Sequence, residues 1–191
     1  MSSAHTVPHR SDSRKSAPRR AFVQVVTGDI FGLFAREALQ ARPQRLTIVS
    51  PWVDSDIAHT PSLNELLDHA EQCKASVVLG TRPLETPRHA QAVASVLNYR
   101  RGRIFLDPNL HAKLYVCEEA DGRGFAVVGS ANMTDSSRRL RELAVIVRPQ
   151  ARSRVLADLG YQAVATLTEN AEVASRRTRN APRFRTKGQQ E

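Results

Sequence analysis

Four polar residues have the types and spacing to form one reactive site: His111, Lys113, Ser130 and Asn132. Read as a β-strand, residues 110–117 place His111, Lys113, Tyr115 and Cys117 on one face and Ala112, Leu114 and Val116 on the other. An imidazole and an ammonium then stand side by side while the same strand buries an aliphatic face. Ser130 and Asn132 are also two apart and follow Gly129 at the end of the next apolar run, adding a hydroxyl and an amide. A nucleophile or base, a fixed cation and two neutral hydrogen-bonding groups suit displacement at a phosphate.

The flanking sequence supplies elements to hold such a site. Residues 21–26 read as a strand, and Thr27-Gly28-Asp29 as a turn and cap. Phe31, Phe34, Ala35 and Ala38 then fall at helical spacing to about residue 41. A β-branched strand over 45–50 is stopped by Pro51, leaving Trp52 to Asp56 as a loop. Ser62 and Glu65 form a capping box for a helix with Leu63, Leu66, Leu67 and Ala70 inward. A short strand over 76–79 ends in Gly80-Thr81-Arg82-Pro83. Thr86-Pro87 opens a helix that stops before Gly102.

Strands follow at 103–106, 110–117 and 124–129, the last two joined by a hairpin turn over 118–124. Residues 136–141 predict one helical turn, 142–147 a strand, and 150–170 a final helix with Val155, Leu156, Leu159 and Ala163 inward. The order β-α-β-α-β-α-β-β-β-β-α mixes crossovers with hairpins. It predicts an α/β fold, a mixed β-sheet sandwiched between helices.

The 191 residues are 41% hydrophobic and 25% charged, as expected of one globular domain. The net charge of +9 is concentrated at the ends. Residues 1–20 carry five basic and one acidic residue, and residues 172–191 six basic and two acidic, whereas 21–171 is nearly neutral. The division expected is a disordered basic tail over 1–20, a folded domain over 21–171 and a second disordered basic tail over 172–191. Such tails raise affinity for polyanions without sequence preference. In their blander reading they only keep the protein soluble.

Cys73 and Cys117 lie in apolar contexts without metal-ligand spacing, which predicts a reduced, cytoplasmic interior. No apolar run is long enough to span a membrane. Arg19-Arg20 superficially resembles a twin-arginine export signal, but Gln24 and Asp29 break the apolar region that follows.

The segments HAKLYVCEE and AVVGSANMT resemble the HKD signature of the phospholipase D superfamily, in particular its short, single-motif Nuc-type members. LTIVSPWVD and VVLGTRP are similar to earlier strands of that fold, so the resemblance extends over about 22–170. It implies a phospholipase D-like domain and a two-step displacement at phosphorus. One histidine forms a phosphohistidine, while a second protonates the leaving oxygen and then activates water. Lys113, Ser130 and Asn132 would bind phosphoryl oxygens, so neither a metal nor another cofactor is expected. Glu142 falls where single-motif members carry a carboxylate against the histidine, fixing its tautomer. Glu118 stands where the family usually has aspartate, in a role supporting the strand turn.

Only His111 among the six histidines sits in a His-x-Lys context. The family's solution for short members is a homodimer with one composite site, and His59 is the fallback partner within the chain. Trp52, at a strand end, is a candidate lip of the cleft. Arg101, Arg103 and Arg139 are candidates to track a phosphate backbone, although runs of charge usually form a solvated face. Taken singly, Ser130 and Asn132 also suit turns, Glu142 a solvated strand start, and Cys117 a core position.

Three functions fit this pattern. The first is a metal-independent nuclease, acting on DNA more readily than RNA; by analogy it would belong to restriction or phage defence and have partner proteins there. The second is a phospholipase or phosphatidyltransferase, which needs an apolar route for acyl chains. The third is a non-catalytic nucleic-acid-binding module. The balance of residues favours the first.

Overall fold

The computed structural model describes residues 22–84, 86–151, 153–168 and 172–174. The tail expected over 1–20, and residues 175–191 of the one expected over 172–191, lie outside them. Five strands and three helices alternate first: β1 (Phe22–Thr27), α1 (Ile30–Gln40), β2 (Pro43–Val49), α2 (Leu63–Gln72), β3 (Ser76–Thr81), α3 (Pro87–Asn98), β4 (Gly102–Leu106) and β5 (Leu114–Glu119). Then come β6 (Gly124–Gly129), α4 (Asp135–Arg139), β7 (Leu143–Arg148), α5 (Val155–Thr168) and β8 (Glu172–Ala174). The strands form one mixed sheet in the order β1-β7-β6-β5-β2-β3-β4-β8. Only β2/β3 and β3/β4 pair in parallel. β8, inside the stretch read from sequence as a tail, extends the sheet by pairing antiparallel to β4.

Side-chain oxygens start the helices where the sequence places them. Asp29 accepts the Gly32 N–H at 3.0 Å, Thr86 accepts that of His89 at 3.2 Å, and Ser62 and Glu65 close a reciprocal capping box. The apolar faces of α1, α2 and α3 cover one side of the sheet, packing Phe31, Phe34, Leu66 and Val96 against Leu46, Leu79, Ile104 and Tyr115. Tyr115 lies 5.5 Å from the Phe31 ring and 5.4 Å from that of Phe34, and each such pair adds about 0.5–1.5 kcal/mol beyond its buried area. These contacts anchor β5, the strand that leads out of the His-x-Lys segment.

The other side is only partly covered. Leu156 and Leu159 of α5 pack over Val49, Val78, Phe105, Leu114, Val116 and Ala126. One row of paired residues, Val25–Val145–Val128–Leu114–Val49, crosses five strands on this face. The α5 helix covers its Leu114 end and leaves Val128 and Val25 43% and 65% exposed, beside Val23 and Leu143 at 59% and 56%. No helix among the described residues is long and apolar enough to cross a membrane.

Candidate active site

The site lies where β2, β3 and β4 end and β5 and β7 begin. Strand β5 starts at Leu114, not at residue 110 as its alternation predicts. Its neighbour β2 ends at Val49, opposite Leu114, because Pro51 follows, so His111 and Lys113 lack a strand partner on that side. They sit instead in a shaped loop, while Tyr115 and Cys117 are buried in the larger core. Burial pushes the Cys117 thiol up to about 12, the behaviour of a small core residue.

Three groups shape the loop. Asp107 accepts the Asn109 N–H at 2.8 Å, closing a turn around Pro108. Arg82 donates Nε to the Leu110 carbonyl at 2.8 Å. Lys113 folds its ammonium back onto the His111 carbonyl, also at 2.8 Å. The His111 side chain is left exposed.

On the β6 side, Gly129 donates its N–H to the Lys113 carbonyl at 3.3 Å, tying the two motif halves together. A Cβ at Gly129 would lie 2.5 Å from both the Leu143 carbonyl oxygen and the Ala144 side chain, so β6 reaches β7 this closely only with glycine there. Ser130, next in the chain, donates its hydroxyl to the Glu142 carboxylate. Glu142 itself is 9% exposed. Among the described residues no hydrogen bond joins the Glu142 and His111 side chains, and the carboxylate is held by Ser130. The β6/β7 register, with Gly129 opposite Ala144, brings Ser130 within reach.

His111, Lys113 and Ser130 line one cavity of about 730 Å³. Its remaining wall is largely apolar, with Val49, Leu110, Leu114, Val128, Leu159 and Ala163, and it also carries Asp107, Asn109 and Gln162. Burial holds the Lys113 ammonium below the usual lysine range; the Glu142 carboxylate opposes that shift and Arg82 adds to it. The cavity therefore offers an exposed imidazole, a cation and a carboxylate-held hydroxyl against an apolar wall.

Asn132 is set apart from these. It lines a smaller cavity of about 230 Å³ with Trp52, Asp54, Thr86 and His89. Ser50 Oγ accepts the Met133 N–H at 3.0 Å and Asp54 N–H donates to the Met133 carbonyl at 2.7 Å, which pins this segment to the loop after β2. Asn132 Oδ1 is buried there and, among the described residues, has no hydrogen-bond partner. The Trp52 ring packs under the Arg82 guanidinium, 4.7 Å from its centroid. Arg82 thus touches Trp52, the loop carrying His111 and the field at Lys113, a junction that sequence reading did not single out. Its place just past the carboxyl end of a parallel strand is the signal that could have found it.

The other assigned residues lie elsewhere. Arg101 and Arg103 line a groove at the amino ends of β3 and β4, at the far end of the strands from His111. Arg139 pairs with Asp135 on α4 and lines a separate shallow depression. Glu118 faces Arg45 across the β2/β5 pair at 3.8 Å, supporting the strand end rather than touching the cavity. His59 is exposed, with φ at +59° in the loop before α2. His89 is buried against Thr81, whose hydroxyl donates to the Pro51 carbonyl at 3.1 Å and so accepts from His89 Nε2 at 2.9 Å.

Strand order, helix placement and the loop at the strand ends together define the phospholipase D-like fold. The structure is similar to that of Nuc from Salmonella typhimurium, described as a phospholipase D family member, with a TM-score of 0.61 and 14% identity over 82% of this chain and 99% of that one. It is similar also to NucT from Helicobacter pylori, with a TM-score of 0.55 and 8% identity over 80% of this chain and 98% of that one. The phosphatidylserine synthase of Haemophilus influenzae Rd KW20 matches with a TM-score of 0.57 and 12% identity, over 82% of this chain and 41% of that one. No protein-family model and no curated sequence matches the chain.

Proposed function

We propose that this protein is a phosphodiester hydrolase, a nuclease that cleaves DNA without a metal ion through a phosphohistidine. The observation that carries this reading is the convergence of His111, Lys113 and Ser130, whose hydroxyl Glu142 holds from behind, on one cavity at the strand ends. A His111 ring nitrogen attacks phosphorus in line, and the bond to the leaving oxygen breaks as that oxygen takes a proton from a second imidazole. The second imidazole then removes a proton from water, which attacks the phosphohistidine and releases His111 and a phosphate monoester. Lys113 counters charge on the phosphoryl oxygens throughout.

The second imidazole in this reading is the partner's His111, in a homodimer with one composite site. The uncovered apolar face of Val23, Val25, Val128 and Leu143 supports it, because it runs directly into the cavity wall at Val128. Burial of such a surface by a second copy is favourable at about 25 cal/mol per Å². A role in phage defence or restriction, with partner proteins, rests on the resemblance to bacterial relatives alone.

The test is cleavage of plasmid and single-stranded DNA in excess EDTA, beside His111→Ala prepared identically. Cleavage that survives EDTA and vanishes in the variant, with acid-labile label trapped on the wild-type protein, is the expected outcome. Equal activity in both proteins, or DNA binding without cleavage in either, would sink the proposal.

A second reading, a phosphatidyl hydrolase or transferase, is favoured by one observation: the apolar wall beside His111 is of the kind an acyl chain would occupy. Release of headgroup from phosphatidylglycerol or phosphatidylcholine vesicles, with no DNA cleavage, would establish it instead.

A further inference from the structure

A second groove, of about 480 Å³, lies on the far flank of α5 between that helix and the amino ends of β2, β3 and β4. Arg45, Arg100, Arg101 and Arg103 line it together with Tyr161, and among the described residues no carboxylate does. Of these cations, Arg45 faces Glu118 at 3.8 Å, and Arg101 lies beside the Tyr99 hydroxyl near Glu71. Arg100 and Arg103 have no ion pair among the described residues. Tyr161 is 67% exposed, an aromatic ring held out on the helix beside Gly160, which also lines the groove.

Concentrated positive charge that is only partly countered attracts polyanions, and an exposed ring beside it offers a stacking surface that any base satisfies. From these features we infer that the groove binds the sugar–phosphate backbone of single-stranded nucleic acid, with one base stacked on Tyr161. Arg45 pairs with Glu118 and Val49 with Leu114, so groove and cavity are separated by about four residues of strand, roughly 13 Å. The groove therefore holds a stretch of strand remote from the bond being cut. This rests on the nuclease reading for its substrate class but makes no use of His111.

The experiment measures binding of a fluorescent 20-nucleotide oligothymidylate to the full chain carrying His111→Ala, in EDTA, across 50–200 mM salt. Adding Arg101→Gln and Arg103→Gln is expected to weaken binding about tenfold or more and to reduce the slope of log K against log salt by about 1.4, two contacts at 0.7 each for a single strand. Tyr161→Ala is expected to weaken binding about tenfold while leaving that slope unchanged. All three positions lie at the surface of the groove, and circular dichroism checks that the variants stay folded.

Unchanged affinity and slope in these variants, no measurable binding of the oligonucleotide, or an effect seen only with anionic phosphatidylglycerol vesicles would each overturn the inference. Hydrolysis of bis(p-nitrophenyl) phosphate by the chain with His111 intact is read in parallel. It should be equal with and without the arginine substitutions. If that hydrolysis is missing altogether while the groove variants behave as expected, the nuclease reading fails and the groove stands.

Discussion

Ser130 donates its hydroxyl to the Glu142 carboxylate while its oxygen accepts the Leu143 backbone N–H at 3.2 Å. The Ser130 N–H meanwhile reaches the Leu143 carbonyl at 3.1 Å, so the residue after β6 and the start of β7 are locked to each other. A carboxylate this buried depends on such donors, since an uncompensated charge away from water is expensive.

Ser130→Ala removes the donor and leaves the carboxylate in place. A loss of about 1–3 kcal/mol is expected, or several degrees in Tm for a domain of this size. Glu142→Gln in the same chain should recover part of that loss, because the neutral amide tolerates the pocket better. Thermal unfolding of the two single variants and the double variant reads this directly. Strict additivity would show that the two side chains do not communicate.

Lys113 sets an alkaline limit. Burial lowers its folded pKa, so between the folded value and the ordinary 10.5 the unfolded chain binds more protons and this group's contribution to stability rises with pH. In the proposed reaction the trend is the opposite, since the ammonium is lost below the pH at which a free lysine would lose it. The neighbours act in opposite directions. Glu142→Gln should move the alkaline limb of kcat/KM to lower pH and Arg82→Gln should move it higher. A pH–rate profile that moves the same way in both variants would contradict this arrangement.

Arg82→Ala should act on turnover through the His111 loop. It deletes the hydrogen bond to the Leu110 carbonyl and the contact with Trp52 together. A stability loss of about 1–2 kcal/mol is expected, alongside a fall in kcat that exceeds the change in KM. Arg82→Lys keeps the charge but not the fork geometry, and should recover less than half of the lost rate. Steady-state kinetics beside thermal unfolding separates loop positioning from global destabilisation.

Val23→Asp with Val25→Asp tests the composite site. Both residues are exposed in the single chain, so the substitutions should leave its fold intact. They should abolish association as read by analytical ultracentrifugation, and with it cleavage. A variant that is monomeric and fully active would remove the partner's His111 from the mechanism.

Much of this architecture was legible in the sequence because local signals agreed with one another. Ser62 with Glu65, Thr86 before Pro87, and the apolar spacing of Phe31, Phe34 and Ala38 each fixed a helix near its observed place. The pairing of His111-x-Lys113 with Gly129-Ser130 was likewise legible, since both segments flank apolar runs that become adjacent strands. What escaped notice depended on register and strand direction. Where β5 begins is set by where β2 ends, and Ser130 reaches Glu142 through pairing across β6 and β7. Arg101 and Arg103 are near the motif in sequence, yet a residue entering a strand lies a whole strand length from the loop leaving it. Arg82 showed no spacing pattern because its partners come from two other loops, Trp52 from the one after β2 and Leu110 and Lys113 from the one before β5.

The strand order also fixes how far apart the two arginine-rich ends of the sequence are attached. β1 and β8 are the outermost strands, seven inter-strand steps apart, or about 34 Å at 4.8 Å per step. The segments before Phe22 and after Ala174, each predominantly basic, are therefore tethered to opposite borders of the domain. A polyanion gripped at the two border strands themselves would have to bridge about one helical turn of duplex, which is the span a two-point hold across this sheet must cover.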